Sequence, residues 1–205
     1  MPNNCTNHLT VSGDAKEIKR FHEAITAGER QDYEQFRILD NLFPTPQELC
    51  DTVKGYSANG GQNPENEQKR KANMEKFGVA DWYDWNVKNY GSKWSDYEGI
   101  FGEITDTEIN ATFVSAWSPI GEGIRNVSKQ FPTLNFILTY DEGGMAFCGG
   151  YAIRNGEFIA DLEGEYPSMT VEQSENEEYD EFYGQVLEVI KDIELQCKEA
   201  LSVSV

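Results

Sequence analysis

The chain opens with alternation. Cys5, Asn7, Leu9 and Val11 are interleaved with Thr6, His8, Thr10 and Ser12, the two-residue period of a strand with one buried face. Gly13 ends that period and Asp14 is placed to cap a helix. Ile18, Phe21, Ala24 and Ile25 then recur at helical spacing, and Gly28 closes the segment. A second extended stretch is predicted from Tyr33 to Pro46, broken by Pro44 and Pro46. Residues 55–66, GYSANGGQNPEN, carry neither period and read as a loop. They lead into EQKRKANMEKFG, whose Lys69, Arg70 and Lys71 read as a solvated helix face.

The stretch DWYDWNVKNYGSKW, Asp81–Trp94, concentrates three tryptophans and two tyrosines in fourteen residues. Asp81 is a suitable N-cap and Gly91 a suitable C-terminal stop. At helical spacing Trp82, Tyr83, Trp85, Val87 and Tyr90 cover most of the circumference, so a largely buried short helix is expected. Asn86 and Asn89 fall inside that aromatic arc, where their amides need partners.

Two strands around a polar turn follow in YEGIFGEITDTEINATFVSAW. SPIGEGIRNVSKQFP reads as a helix with Pro119 in its first turn. The strand in TLNFILTYDEGG precedes a hairpin whose Asn155-Gly156 pair suits a type I′ turn. The last helix carries an apolar stripe of Phe182, Val186, Val189, Ile190, Ile193 and Cys197. This succession predicts an α+β two-layer sandwich: an antiparallel sheet with amphipathic helices on one face. One domain is expected over residues 1–205, with a helical insertion at 55–95 and an acidic C-terminal segment at 157–205.

Charge changes the picture most. The formal net charge of the chain is −19. Residues 151–205 hold fourteen acidic side chains against three basic ones, and none of the basic ones lies between Glu157 and Glu181. Such a surface repels nucleic acid and anionic membranes and attracts basic proteins. A solvated acidic face and an imitation of a polyanion both fit. For the second, the candidate partner-binding residues are Glu157, Asp161, Glu163, Glu165, Glu175, Glu177, Glu178 and Asp180.

Little else carries chemistry. The four cysteines show no metal-ligand spacing and are expected to be buried free thiols in a reducing compartment. His8 and His22 have no evident partners, Cys5 no evident base, and no phosphate loop or nucleophile elbow occurs. No metal, cofactor or catalytic residue is assigned, and a non-enzymatic role is expected. The N-terminal stretch has no basic region or long apolar run, so neither a secretory leader nor a membrane anchor is expected. The aromatic stretch is either a packed core wedge or the wall of a ligand pocket. In the second case Trp82, Trp85, Asn89, Lys93, Trp94 and Arg125 are the candidate ligand-binding residues.

MPNNCTNHLTVSG, DWYDWNVKNYGSKW, FVSAWSPI and FPTLNFILTYDEGGMAFCGGY occur here in that order. Together they resemble the Api92-like, or YubB-like, family of small proteins of bacteriophages, prophages and conjugative plasmids, over Met1 to about Tyr151. The chain departs from the family pattern at Asn4 and Tyr90, where the pattern has Trp. The resemblance implies a ferredoxin-like fold and a mobile-element origin, and brings no catalytic residue; with the charge and the cysteine usage, the host cytoplasm is the expected location. The leading expectation is a counter-defence inhibitor, anti-restriction or anti-CRISPR-like, that occupies the basic nucleic-acid-binding surface of a host effector. The alternatives are sequestration of a small nucleotide immune signal in the aromatic pocket, and an accessory phage protein without a defence role.

Overall fold

The computed structural model describes residues 3–29, 34–52, 64–168 and 179–204. The loop expected at 55–66 lies mostly outside them, as do Glu175, Glu177 and Glu178.

The chain builds one six-stranded antiparallel sheet. In chain order its strands are β1 (Asn4–Ser12), β2 (Tyr97–Ile104), β3 (Glu108–Ala116), β4 (Asn135–Glu142), β5 (Phe147–Arg154) and β6 (Glu157–Gly164). Their spatial order is β2-β3-β1-β4-β5-β6. Helix α1 (Ala15–Ile25) follows β1, and α6 (Gly121–Ser128) joins β3 to β4. The subset β1-α1-β2-β3-α6-β4 is thus the ferredoxin-like βαββαβ arrangement, and β5 and β6 extend it as a meander. Between α1 and β2 lie α2 (Leu39–Leu42), α3 (Gln47–Cys50), α4 (Pro64–Phe77) and α5 (Trp82–Tyr90). The long α7 (Tyr179–Val203) ends the described chain.

Local chemistry accounts for these elements. Asp14 caps α1 by accepting from the Lys16 N–H at 2.9 Å. Asn155 and Gly156 both have positive φ, 47° and 81°, as a type I′ turn between β5 and β6 requires. Leu9 and Val11 of β1, Phe113 of β3, and Phe136 and Leu138 of β4 point to the face covered by α1 and α6. Phe21 of α1 sits there edge-on to Phe131 and Phe136, at 5.2 and 5.6 Å. Burying such a ring is worth roughly 1.5–3 kcal/mol.

Four expectations are corrected. Residues 36–43 do not form a strand. Gln35 N–H reaches the Gly99 carbonyl at 2.7 Å, but the chain then turns into α2. The cause is tertiary: the buried Asp96 carboxylate accepts from the N–H groups of Ile38 and Leu39 at 2.7 and 2.9 Å, capping that turn. Pro119 lies ahead of α6, whose N-cap is Ile120. Cys5, Cys148 and Cys197 are buried as expected, but Cys50 is exposed.

The fourth correction concerns layering. Not all helices share one face. Ile137, Cys148 and Ala152 point away from α1 and α6, and α7 covers them with Val186, Ile190, Ile193 and Cys197. The second apolar patch, formed by the alternate residues of β4 and β5, needs its own cover, and the stripe on α7 supplies it.

Candidate functional site

Helix α5 is fixed at both ends. Asp81 accepts from the Asp84 N–H at 3.2 Å, and Gly91 adopts φ 90°. A Cβ on Gly91 would also lie 2.9 Å from the Pro119 carbonyl oxygen, so only glycine brings α5 this close to the entry of α6. Trp85 and Tyr90 are buried against Phe43. The aromatic stretch is therefore partly a core wedge. Burial does not run round most of the helix, because Val87 is exposed and Trp82 and Tyr83 are half-buried.

The other part of the stretch walls a cavity of about 790 Å³ between α5, α2 and the start of β2, within the size range of ligand sites, roughly 300–1,000 Å³. Trp82, Tyr90, Trp94 and Tyr97 supply aromatic surface. Asn4, Thr45, Asn86 and Ser95 supply polar atoms, and Arg37, Asp40 and Glu98 supply charge. The floor is a closed network. Thr45 donates to Asn86 Oδ1 at 2.7 Å and lies 3.0 Å from the Tyr90 hydroxyl. Tyr90 donates to the Phe43 carbonyl at 2.9 Å, and Asn86 Nδ2 to the Lys93 carbonyl at 2.9 Å. The Tyr97 hydroxyl donates to Asn4 Oδ1 at 3.0 Å.

The charged wall is equally organised. Arg37 Nη2 lies 2.6 Å from both oxygens of the buried Glu34, and its Nη1 3.0 Å from Asp40. Burial opposes the charge on Arg37, but its bonds to Glu34 outweigh this and raise the guanidinium above its ordinary value. Glu34 also accepts from the Glu98 N–H at 3.3 Å. Glu98 has φ 55°, unusual for a side-chain-bearing residue, inside a register shift of β2 between Tyr97 and Ile100. Burial pushes the neighbouring Asp96 carboxyl up to about 6, against the lowering effect of its two backbone donors.

Of the ligand-binding candidates, Trp82 and Trp94 line the cavity. Trp85 is buried behind it. Asn89 and Lys93 lie outside the lining. Asn89 turns its amide to the Trp85 carbonyl at 2.8 Å, and Lys93 holds its ammonium 4.0 Å over the Trp94 ring. Arg125 is on α6, bound to Glu122 at 2.6 and 2.9 Å and near the Phe158 ring. Among the described lining residues the cation is Arg37, which no local pattern singles out. Asp40, Thr45, Tyr97 and Glu98 were likewise missed, since no local signal joins residues 37–45 to 94–98. Asn4 and Tyr90, the positions that depart from the resembled pattern, both line the cavity.

The acidic candidates gather elsewhere. Glu157, Asp161, Glu163 and Glu165 are exposed along and just beyond β6, the strand at the sheet edge. Asp180 is exposed in the first turn of α7. None of these five has an ion pair among the described residues. Elsewhere acids meet bases, as in Glu17–Arg20, Glu122–Arg125, Glu188–Lys191 and Glu194–Lys198.

His8 does acquire a partner. On the face opposite α1, its Nδ1 is 3.3 Å from the Thr112 hydroxyl, and its Nε2 is 3.9 Å from Asp141 Oδ1. Burial pushes the Cys5 thiol up to about 12, with the Asp141 charge adding to it, which disfavours the thiolate. Among the described residues no three His, Cys, Asp or Glu side chains converge as metal ligands, and no helix is long and apolar enough to cross a membrane.

Residues 89–184 match the family model described as the ferredoxin-like domain in Api92-like protein. The match covers β2 to β6 and extends into α7, whereas the resemblance was expected over residues 1–151. No curated protein matches. Among solved structures, the protein api92 from Yersinia pseudotuberculosis is 13% identical, with a TM-score of 0.43; the alignment covers 83% of this chain and all of that one.

Proposed function

We propose that this chain is a phage- or plasmid-encoded counter-defence protein that inhibits a host nucleic-acid-binding effector through its acidic edge. The observation that carries this reading is the row of exposed carboxylates along and just beyond β6, without ion pairs among the described residues, at the edge of a sheet in a protein with a net charge of −19. Asp161, Glu163 and Glu165 recur at every second residue. Along an extended strand that places them roughly 6–7 Å apart. A regular line of negative charge on a firm sheet is complementary to a groove built for phosphates. It speeds encounter with basic surfaces and repels nucleic acid itself. The resemblance to Api92-like proteins supports the mobile-element origin.

The test is capture of partners from bacterial lysate by the tagged protein at low and high salt, with a variant carrying lysine at 157, 161, 163 and 165 as control. The reading expects a nucleic-acid-binding protein that is held at low salt, released at high salt and absent with the variant. A partner held equally by the variant overturns it.

A further inference from the structure

We infer that the cavity beside α5 is a binding site for a planar, amino-bearing heterocycle without phosphate, such as a nucleoside base. This site is separate from the acidic edge and stands or falls independently of it.

The charge of the walls selects the class. Among the described residues, the only base lining the cavity is Arg37, and its guanidinium is already held by Glu34 and Asp40. A phosphate entering here would find the lining guanidinium already paired and would face the Asp40 and Glu98 carboxylates. A ligand that brings N–H donors meets those carboxylates as partners instead.

The surfaces select flatness. Trp82 and Trp94 offer two indoles to the same space, and planar rings gain from lying against aromatic faces. Trp94 already carries the Lys93 ammonium over its ring at 4.0 Å, so this indole is placed to interact with positive or electron-poor groups. The floor needs nothing from a ligand, because Thr45, Asn86 and Tyr90 satisfy one another. It is a prebuilt base, and binding costs little reorganisation.

The backbone at the rim supports the assignment. Glu98 is held in the left-handed region at φ 55°, at an irregularity of β2, by its N–H bond to the buried Glu34. Such strain costs roughly 1–3 kcal/mol and is concentrated at ligand clamps and active sites. Here it fixes an acidic residue in the cavity wall.

The test is isothermal calorimetry of the whole chain with adenosine, 9-aminoacridine and AMP, repeated on Trp94→Ala, Trp94→Phe and Glu98→Gln. Trp94 is exposed, so its variants should keep the wild-type circular dichroism and melting point. The expected result is saturable binding of adenosine and 9-aminoacridine, with AMP at least tenfold weaker than adenosine. Trp94→Ala should lose tenfold or more, Trp94→Phe should recover part of it, and Glu98→Gln should weaken the cationic acridine more than adenosine. No heat with either phosphate-free probe at millimolar concentration overturns the inference. So does AMP binding as tightly as adenosine, or full binding by Trp94→Ala.

Discussion

Arg37 clasps Glu34 three residues earlier, with Nη2 2.6 Å from each carboxylate oxygen and Nε 3.0 Å from one of them. Glu34 is buried and Arg37 lines the cavity, so one pair links the core to the rim. Through Glu34 the pair also holds the left-handed Glu98.

Replacing Arg37 with Met leaves the Glu34 carboxylate buried without its counterion, which costs about 3–5 kcal/mol. Urea denaturation should show that loss. The double change Glu34→Gln with Arg37→Met should cost clearly less, because no charge is then stranded. Arg37→Lys should recover only part of the stability, since an ammonium cannot reproduce the forked contact.

Asp96 gives the chain a distinctive pH response. Its folded-state value of about 6 lies above the ordinary 3.8, so the folded protein holds this proton more tightly than the unfolded chain does. The contribution to stability is fully present below about pH 4 and is lost as pH rises through 6. The loss is about 3 kcal/mol at 1.36 kcal/mol per unit. Denaturation of wild type and Asp96→Asn between pH 4 and 8 should show the wild type losing ground relative to the variant as pH rises, then levelling off above pH 7.

Gly164 sets the spacing between β6 and α7. A Cβ there would lie 2.7 Å from Ile193 Cδ1, 2.8 Å from Cys148 Sγ and 2.9 Å from Val189 Cγ1. Gly164→Ala should destabilise by about 1–3 kcal/mol. Hydrogen exchange should accelerate in α7 and β6 while α1 keeps its protection, since α1 packs on the other face of the sheet.

Much of this fold is legible in local chemistry. The alternation of β1, the Asp14 cap, the Asp81 and Gly91 boundaries of α5 and the Asn155-Gly156 turn each follow from a few adjacent residues. What escapes the sequence depends on distant partners. Residues 38–42 turn helical because Asp96, 57 and 58 positions away from the two N–H groups it caps, accepts from them. The cavity wall from Arg37 to Thr45 is brought to Trp94 and Tyr97 by that same contact. Arg125 was a reasonable candidate by type, yet Glu122, one turn earlier on the same helix, satisfies it. Alternation in β4 and β5 places apolar residues on both faces, and only the assembled sheet shows that α7 covers the second.

The most direct test of the acidic-edge account is competition. A captured nucleic-acid-binding partner is loaded with a fluorescent DNA duplex, and anisotropy is followed as this protein is added. The account predicts that wild type displaces the duplex. The variant with lysine at 157, 161, 163 and 165 should fail to do so while keeping its circular dichroism and melting point. Displacement by that variant at wild-type concentrations, or stable retention of the duplex in a ternary complex, would contradict the account.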